Sequence, residues 1–544
     1  MNEEAGNESR VVAGGAPLAQ TLDGAAFDKN RDQNERHFST DHLRTNLKHR
    51  TVSAGFVTLT SQGAKFALTI LSTYILVRLL SHSDFGLLAM VTTIMSLLRA
   101  FKDAGLSAAT VQREGITHAQ VSNLFWINVA VAGMLALIMA VSAPAIAWFY
   151  HEPNLVGITL WLSLTFLVSG STVQHQALLR RQMRFKALAV IEVGSMVVSL
   201  LVGVLMALAG CGYWSLVGMS LASEIAGFAL TWWVAKWRPQ RPQRGSGTRS
   251  LLNFGVKMTA GSAVGIFSRG VDTMLIGWRY GADATGLYSR ALALIAKPLD
   301  QLMSPVSAVF VPTLSRLQNE PERYRRAFLQ LYEAIAMVSF GFAGLFFALS
   351  YPITLVLLGP KWEAAAVIFR AFTLAALSSP IATTVIWMLV SQGRGEEYMR
   401  MNLITALTTI AVIGAGLPFG PLGVATAYSV GGLIISLPVI YYMAGRSGPV
   451  TTKDLWAGFF RHFPLCVTVA GASLLALVWA ARYSPLVQLL ICGPVGFAAG
   501  AATIYLIRPQ REIAQHLFKV VSGMVRARLA PEGKSGSTSN GRNA

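Results

Sequence analysis

Hydrophobic residues along this chain gather into fourteen stretches, separated by shorter polar segments. A helix needs roughly 20 apolar residues to cross the hydrocarbon core of a bilayer, and most of the stretches approach or reach that length. The pattern predicts an all-α integral membrane protein with about fourteen transmembrane helices, and a further stretch, 351–358, is too short to span alone. The predicted spans are residues 55–77, 85–101, 121–148, 155–178, 187–209, 213–235, 251–277, 285–311, 327–349, 364–391, 398–416, 421–443, 462–480 and 486–507.

Basic residues separate into alternate loops. Of the 45 lysines and arginines, only Arg78, Arg279, Lys361 and Arg482 fall in the loops of one side. Cytoplasmic loops of membrane proteins carry an excess of Lys and Arg. The arginine-poor side is therefore predicted to be extracytoplasmic, and both termini are predicted to lie in the cytoplasm, which requires an even number of spans.

Composition agrees with a membrane protein, since 53% of the residues are hydrophobic, 13% are charged and the mean hydropathy is +0.50. A net charge of +19 suggests nucleic acid at first sight. The charges lie, however, in short loops between spans, where they set orientation and meet anionic lipid. Membrane lipids are therefore a predicted partner, and nucleic acid is not. One such cytoplasmic cluster comprises Arg180, Arg181, Arg184 and Lys186.

Glycines recur at a spacing of 200 residues. Gly55 and Gly255 lie in predicted spans one and seven, and Gly86 and Gly286 begin spans two and eight. Because spans one and seven run in the same direction, this indicates a parallel repeat of two six-helix lobes around a central cleft. The predicted divisions are a disordered cytoplasmic tail over 1–50, an N-lobe over 51–240, a C-lobe over 241–450, two additional spans over 451–510, and a basic cytoplasmic tail over 511–544.

Catalytic chemistry has no evident place in the chain. The cysteines, Cys211, Cys466 and Cys492, are scattered and match no disulfide framework or metal site. Nucleotide-binding and hydrolase motifs are absent. The predicted outer loops are too short for the catalytic domain that a membrane glycosyltransferase or polymerase carries. We therefore expect a transporter rather than an enzyme, with no cofactor and no metal.

Three segments resemble the Wzx-type polysaccharide transporters, a family of the multidrug/oligosaccharidyl-lipid/polysaccharide flippase superfamily. They are the run DAGLSAATVQR from Asp103 to Arg113, the run QALLRRQMRFK from Gln176 to Lys186, and the pair GVDTMLIG from Gly270 and GLYSRA from Gly286. The resemblance covers about residues 50–510 and includes the subgroup that serves exopolysaccharides. The long polar N-terminal tail departs from the family pattern.

The resemblance implies a flippase that moves undecaprenyl-diphosphate-linked oligosaccharide repeat units from the cytoplasmic to the periplasmic leaflet of the bacterial inner membrane. It implies a role in exopolysaccharide, capsule, lipopolysaccharide or O-antigen synthesis, with a polysaccharide polymerase and chain-length proteins as further partners. Two alternatives stay open: a drug or metabolite exporter of the same superfamily, and a membrane glycosyltransferase or polymerase, which the short outer loops disfavour.

Charges within the predicted spans provide an independent test. A charge at mid-bilayer costs about 3 kcal/mol, so it should face a cavity or a partner. The cations outnumber the clear acids, and a cationic cleft suits a diphosphate. The candidate substrate-binding cations are Lys65, Arg269, Arg290, Lys297 and Arg370, with Lys257 as a sixth cation, and the candidate ion-coupling acids are Glu192, Glu224, Asp272 and Asp300.

Each candidate also has a structural interpretation. Lys257 and Arg290 lie near helix ends and could extend to the membrane surface, and Arg269 could pair with Asp272. Glu192 and Glu224 could be partners of buried cations rather than proton carriers. The basic cluster at Arg180–Lys186 could serve as an orientation signal or could capture phosphate at the cytoplasmic mouth.

Overall fold

The computed structural model describes residues 47–102, 106–113, 115–244 and 270–529. Within these ranges, helix is the one kind of regular secondary structure, as the sequence predicts. The helices are α1 Leu47–Leu79, α2 His82–Lys102, α3 Leu106–Gln112, α4 His118–Val141, α5 Ala143–Tyr150, α6 Asn154–Gly170, α7 Val173–Arg181, α8 Phe185–Leu208, α9 Trp214–Ala235, α10 Val271–Arg316, α11 Pro321–Leu357, α12 Glu363–Thr373, α13 Ala375–Ser391, α14 Gly395–Gly416, α15 Gly420–Gly431, α16 Leu437–Gly445, α17 Thr452–Trp479, α18 Pro485–Leu506 and α19 Arg508–Leu529. Short 3₁₀ turns at Pro360–Trp362 and Leu417–Phe419 and a π turn at Gly432–Ser436 join some of them.

Among the described residues, eight helical segments are long and apolar enough to cross a bilayer, or nine if the bent pair Pro360–Thr373 and Ala375–Ser391 is one span. The segment Gly395–Gly445 counts once although two spans are predicted within it. The long helices α1, α2 and α10 are not among these apolar segments, although they cover predicted spans one, two and eight. Most of predicted span seven lies outside the described residues. The count of fourteen therefore stays a prediction.

Several predicted spans are broken or longer than expected. The predicted span 121–148 divides into α4 and α5 at Ser142, and the predicted span 155–178 divides into α6 and α7. The predicted span 327–349 continues to Leu357 through a non-helical residue, Leu349, and so absorbs the short stretch 351–358. Pro144 lies two residues after the break at Ser142, and Pro352 lies three residues after the break at Leu349. Proline lacks the amide hydrogen and clashes with the preceding turn, which explains these two breaks.

Local backbone geometry recurs along the chain at nearly constant spacing. Arg184 has φ −81° and ψ 57°, and Arg394, 210 residues later, has φ −79° and ψ 55°. The residues before them, Met183 and Gly393, are both left-handed, with φ 53° and φ 70°. The amide of each arginine donates to a carbonyl five residues earlier, at 2.9 Å and 3.0 Å. The internal similarity noted in the glycines therefore extends to backbone conformation.

Packing brings the two parts of the chain together at α10. This helix lies along α2, and α1 packs against α8. A sharp break at Gly281, where φ is 77° and ψ is −172°, divides α10 into a short first part and a long second part. Glycine is required at such an angle because side chains with a Cβ rarely adopt it. The second part of α10 then faces α1 and α11 across a cavity.

Candidate functional site

A cavity of about 590 Å³ lies between α1, the second part of α10, and α11. Most of its wall is apolar, which suits a chamber that also borders lipid. Two charged side chains line it, and both are cations on α10, namely Arg290 and Lys297. Among the described residues, neither an aspartate nor a glutamate lines this cavity. The remaining lining residues are Gln62, Gly63, Phe66, Thr69, Ile70, Thr73, Ala293, Leu294, Pro298, Gln301, Leu302, Phe342, Phe346, Ile353, Leu357 and Leu358.

The two cations share one face of α10 because residues seven apart lie two helical turns along the same side. Their Cα atoms are about 10 Å apart along the helix axis at a rise of 1.5 Å per residue. The Arg290 guanidinium carbon lies 4.4 Å from the centre of the Phe85 ring, which provides a cation–π contact. Lys297 is exposed to the cavity, and no carboxylate of the described residues lies within ion-pair distance of it. The cavity therefore presents net positive charge to any occupant.

Lys65, a candidate substrate-binding cation on α1, differs in placement from its neighbours on the same helix. Gln62 and Thr69 line the cavity, but Lys65 does not. Its ammonium lies 2.7 Å from a carboxylate oxygen of Glu192 on α8. Lys65 and Glu192 thus neutralise one another between two helices, which is the structural interpretation that the sequence left open for Glu192.

The other candidate acids also differ in their surroundings. Glu224 lies 3.7 Å from Arg99 on α2, so it is a partner of a cation. Asp272 is buried, and its carboxylate accepts a hydrogen bond of 2.8 Å from the Tyr288 hydroxyl. Asp300 is exposed and lies outside the cavity lining. Asp272 is therefore the buried acid for which the described residues provide a hydroxyl partner rather than a cation.

Arg370 lies away from the cavity. Its Nε donates to the Ser350 hydroxyl at 3.0 Å, and its guanidinium lies 5.7 Å from the Phe347 ring. Both partners belong to α11, so Arg370 ties α12 to that helix. Arg269, which the sequence proposes as a substrate contact and as a partner of Asp272, lies outside the described residues, as does Lys257.

The predicted cytoplasmic cluster divides into structural and exposed members. Arg181 is buried and donates to the carbonyls of Thr110 and Arg113 at the end of α3. Arg184 reaches the carbonyl of Val234 at 3.5 Å, in the last turn of α9. Cations near a helix C-terminus satisfy free carbonyls and favour the helix dipole. Arg180 and Lys186 remain exposed and are the members available to a ligand.

Arg394 repeats the contact of Arg184. It donates to Ala444 at 2.9 Å and to Met443 at 3.2 Å in the last turn of α16. Val234 and Ala444 are 210 residues apart, the same interval that separates the two arginines. The equivalence of the two loops thus includes their side-chain contacts. Sequence reasoning missed this role because the arginines resemble ordinary loop charges.

At one end of α2, a glycine crossing brings this helix into close contact with α10. A Cβ added to Gly86 would lie 1.7 Å from the carbonyl oxygen of Ala282, and one added to Gly286 would lie 1.9 Å from that of His82. The contact is symmetric, because residues 82 and 282 are also 200 apart. The two glycines that indicate the repeat in the sequence therefore lie at a close approach between the repeated helices. The loop charges predict that this end faces the periplasm.

Aromatic and charged residues surround the crossing. Trp362 is fully buried, its indole nitrogen donates to the Val77 carbonyl at 3.1 Å, and its ring lies 4.4 Å from that of His82. His82 Nδ1 lies 3.3 Å from a carboxylate oxygen of Asp283. The Arg78 guanidinium donates to Val356 and Leu357 at 2.9 Å and 3.2 Å. These contacts join α1 and α2 to α10, α11 and the turn before α12.

The two cations make the cavity suited to an anion rather than to a metal ion. Within the ranges that the structure describes, no three His, Cys, Asp or Glu side chains gather in a way that could hold a metal ion. The cavity is large enough for a charged head group, and two of the described cations line it. Those properties suit binding and passage rather than bond cleavage.

Residues 75–367 match the family model described as polysaccharide biosynthesis protein. The chain belongs to this family. It is 30% identical over 380 residues to the succinoglycan biosynthesis transport protein ExoT of Rhizobium meliloti (strain 1021), covering 68% of this chain and 75% of that protein. It is 22% identical over 433 residues to the lipopolysaccharide biosynthesis protein WzxC of Escherichia coli (strain K12), covering 77% of this chain and 87% of that protein.

Among solved structures, the lipid II flippase MurJ in an inward closed conformation is similar with a TM-score of 0.67 over 84% of this chain and 99% of that chain. At 14% identity this likeness concerns the fold alone. The predicted resemblance to polysaccharide transporters is confirmed. So is the expectation of a membrane transporter rather than an enzyme, because these relatives include transport proteins and flippases.

In this family member, two of the segments that carry the resemblance meet in space. Thr110, from the first run, donates to the Gln174 side chain at 2.8 Å, beside the second run. Arg181, from the second run, donates to carbonyls of the first. These runs therefore brace α3 against α7, at the end of the molecule that the loop charges assign to the cytoplasm.

Proposed function

We propose that this protein is a flippase for lipid-linked oligosaccharides. Its substrate is an undecaprenyl-diphosphate-linked repeat unit, carried from the cytoplasmic to the periplasmic leaflet of the bacterial inner membrane for exopolysaccharide, capsule or O-antigen synthesis. The observation that carries the proposal is the cavity with Arg290 and Lys297 in its wall and no carboxylate among its described lining residues. The names of the relatives, which concern polysaccharide biosynthesis and lipid II, support the substrate class.

Electrostatics explain why this cavity suits a diphosphate. The head group carries two negative charges across roughly 30 Å of hydrocarbon, and bare ions are strongly unfavourable there. The Coulomb attraction between one negative charge and a cation about 4 Å away is about 4 kcal/mol at an effective dielectric constant of 20. Arg290 and Lys297 are two turns apart, so they can meet the two ends of one head group or receive it in succession.

Alternating access of two six-helix lobes, over 51–240 and 241–450, would move the head group, with fourteen spans and both termini in the cytoplasm. In this proposal the close contact at Gly86 and Gly286 closes the periplasmic end, so that this conformation would receive substrate from the cytoplasm. Spans 13 and 14, over 451–510, are additions to the two lobes. A polysaccharide polymerase and chain-length proteins would act on the flipped product.

An ion gradient is the proposed energy source, and Asp272 is the leading candidate for its binding site. Its carboxylate is buried and bonded to Tyr288, whereas Glu192 and Glu224 face cations. A carboxylate without a nearby cation can take up and release a proton or a monovalent cation as its surroundings change.

Export of drugs or metabolites is the second candidate function. An inward-facing multidrug transporter of the same superfamily is similar in fold, with a TM-score of 0.55 over 72% of this chain. A cavity whose charged residues are both cations disfavours positively charged drugs. An anionic metabolite stays compatible with it.

The test is to measure lipid-linked repeat units in membranes of cells that carry variants at the cavity. Lys297→Gln and Arg290→Gln remove charge and should leave the units in the cytoplasmic leaflet and reduce polymer export. Lys297→Arg keeps the charge and should retain more activity, although its donor geometry differs.

Lys65→Gln is the matched control because it removes one intramembrane cation that the structure pairs with Glu192. If it alone abolished export at normal protein levels, the substrate contact would lie at Lys65 rather than on α10. Full export by the Lys297→Gln/Arg290→Gln double variant would refute the electrostatic role of the cavity.

A further inference from the structure

The segment after α9 carries three arginines at a spacing of three. Residues 238–244 read Arg-Pro-Gln-Arg-Pro-Gln-Arg, and the segment contains no helix or strand. An extended proline-rich chain has three residues per turn and rises 3.1 Å per residue, so such arginines would align in a row about 9 Å apart. All three arginines, Arg238, Arg241 and Arg244, are exposed.

The segment is held against the start of α4. The amide nitrogen of Gln240 donates to the Ser122 hydroxyl at 3.0 Å, and that of Gln243 donates to the Asn123 side chain at 2.9 Å. Asn123 returns a hydrogen bond to the Gln243 carbonyl at 2.7 Å, and Trp126 donates to the Gln240 carbonyl at 2.8 Å. Because the backbone groups of Gln240 and Gln243 are bonded to α4, the backbone of the arginines beside them is held in place.

An apolar groove of about 450 Å³ lies directly beside the row. Pro239, which follows the first arginine, is part of its wall together with Trp126 and Trp232. Arg238 lies 5.1 Å from the Trp232 ring, so the groove and the row of cations are continuous. The other lining residues come from α4, α6 and α9 and are Phe125, Val129, Leu167, Val168, Ser171 and Phe228.

The positive charge of this row is not neutralised by the part of the protein that the structure describes. None of the three arginines has a described carboxylate within ion-pair distance; the ion pairs found lie elsewhere, as at Arg325–Asp454 and Arg394–Glu397. Exposed Lys236 adds a further cation at the end of α9. A ligand that carries both a negative head and a long apolar part would satisfy the row and the groove together.

We propose that this surface is a binding site for an anionic glycerophospholipid of the cytoplasmic leaflet. Its phosphate contacts Arg238 and Arg241, and one acyl chain lies in the groove beneath Pro239. Tryptophans favour the interface between water and hydrocarbon, which is where Trp126 and Trp232 would then lie. Basic pockets between spans on the cytoplasmic side are a known setting for anionic head groups. A nucleic acid or an acidic peptide would engage the arginines but would leave the groove empty.

Titration of the full-length protein in detergent tests the site. Phosphatidylglycerol and phosphatidylcholine with the same acyl chains are added, and bound lipid is measured by native mass spectrometry. We expect tighter binding of phosphatidylglycerol. Each cation near an anionic surface contributes about 1 kcal/mol, so the loss of two in Arg238→Gln/Arg241→Gln should weaken the binding of phosphatidylglycerol about thirtyfold.

The matched control is Arg316→Gln/Arg326→Gln, which removes two exposed charges from the predicted cytoplasmic surface, on α10 and α11, which contribute no residue to the groove wall. It should change the affinity little. Leu167→Trp fills the groove from an exposed wall position and should reduce the preference for long acyl chains without altering the arginines. Arg238→Lys/Arg241→Lys keeps the charge and should retain most of the binding, which separates a charge effect from misfolding.

Equal binding of the two lipids by the wild-type protein would overturn the proposal, as would equal affinity in the glutamine variant and its control. Displacement of phosphatidylglycerol by millimolar inorganic phosphate, with no effect of Leu167→Trp, would indicate a phosphate site rather than a lipid site. Binding of single-stranded RNA that competes with the lipid and depends on the same arginines would assign the row to nucleic acid instead.

Discussion

Replacing Gly86 or Gly286 by alanine should hold the periplasmic end of the protein open. A Cβ at Gly86 would lie 1.7 Å from a backbone oxygen of α10, and one at Gly286 would lie 1.9 Å from a backbone oxygen of α2. Non-bonded carbon and oxygen atoms need more than 3 Å, and a backbone carbonyl cannot turn aside as a flexible side chain can. The two helices would therefore have to separate by more than an ångström, which the closed crossing does not allow.

The size of the effect follows from where the clash occurs. Forcing an extra methyl group into a packed contact costs about 1–3 kcal/mol. The clash exists where α2 and α10 touch and is relieved when they part, so the cost falls on the closed conformation alone. The ratio of open to closed forms should rise between about fivefold and about 150-fold. Because one separation relieves both contacts, the double variant should be affected less than the sum of the two single variants.

Cysteine accessibility from the periplasm measures this shift. A single cysteine is placed at Ala293 in the cavity wall, after replacement of the native cysteines, of which Cys211 is exposed. A membrane-impermeant thiol reagent should label it faster in Gly86→Ala and Gly286→Ala, and polymer export should fall. Gly471→Ala is the control, since a Cβ there has nothing within 4 Å. Labelling and export equal to those of Gly471→Ala would refute the glycine crossing as the periplasmic closure.

Three further predictions follow from the described contacts. Asp272→Asn should abolish the dependence of transport on an ion gradient. Glu224→Gln should affect assembly of the protein more than ion coupling, because Glu224 pairs with Arg99. An unchanged response of Asp272→Asn to the gradient would show that Asp272 has a structural role. Arg394→Ala should lower the melting temperature more than Arg184→Ala. Among the described residues, Arg394 donates to the helix-end carbonyls of Ala444 and Met443 at 2.9 Å and 3.2 Å, whereas Arg184 donates to that of Val234 at 3.5 Å, and each such bond is worth about 1 kcal/mol. Equal losses would contradict this. Reporter fusions should read periplasmic at 151, 211, 280, 355, 418 and 483 and cytoplasmic at 184, 242, 320, 395 and 450, and a consistent reversal after one span would locate an error in the count.

Residue types and their order determined much of this protein. Long apolar stretches require helices, because lipid offers no partner for backbone polar groups. The 200-residue interval between Gly86 and Gly286 indicated a repeat before any contact was known. The family could also be inferred from short runs such as Gln176–Lys186, whose Arg181 bonds to carbonyls at the end of α3 in this chain.

Tertiary structure decided which charge faces which neighbour. Lys65 and Lys297 are both lysines within predicted spans, yet one pairs with Glu192, 127 residues away, and the other faces the cavity. The crossing of Gly86 with Gly286, the burial of Trp362, and the contact of Arg290 with Phe85 likewise join distant parts of the chain. Helical periodicity defines which residues share a face, but the direction of that face depends on the rotation of each helix about its axis. That rotation is set by packing against other helices, and in a membrane nearly all faces of a span are apolar enough to permit several rotations.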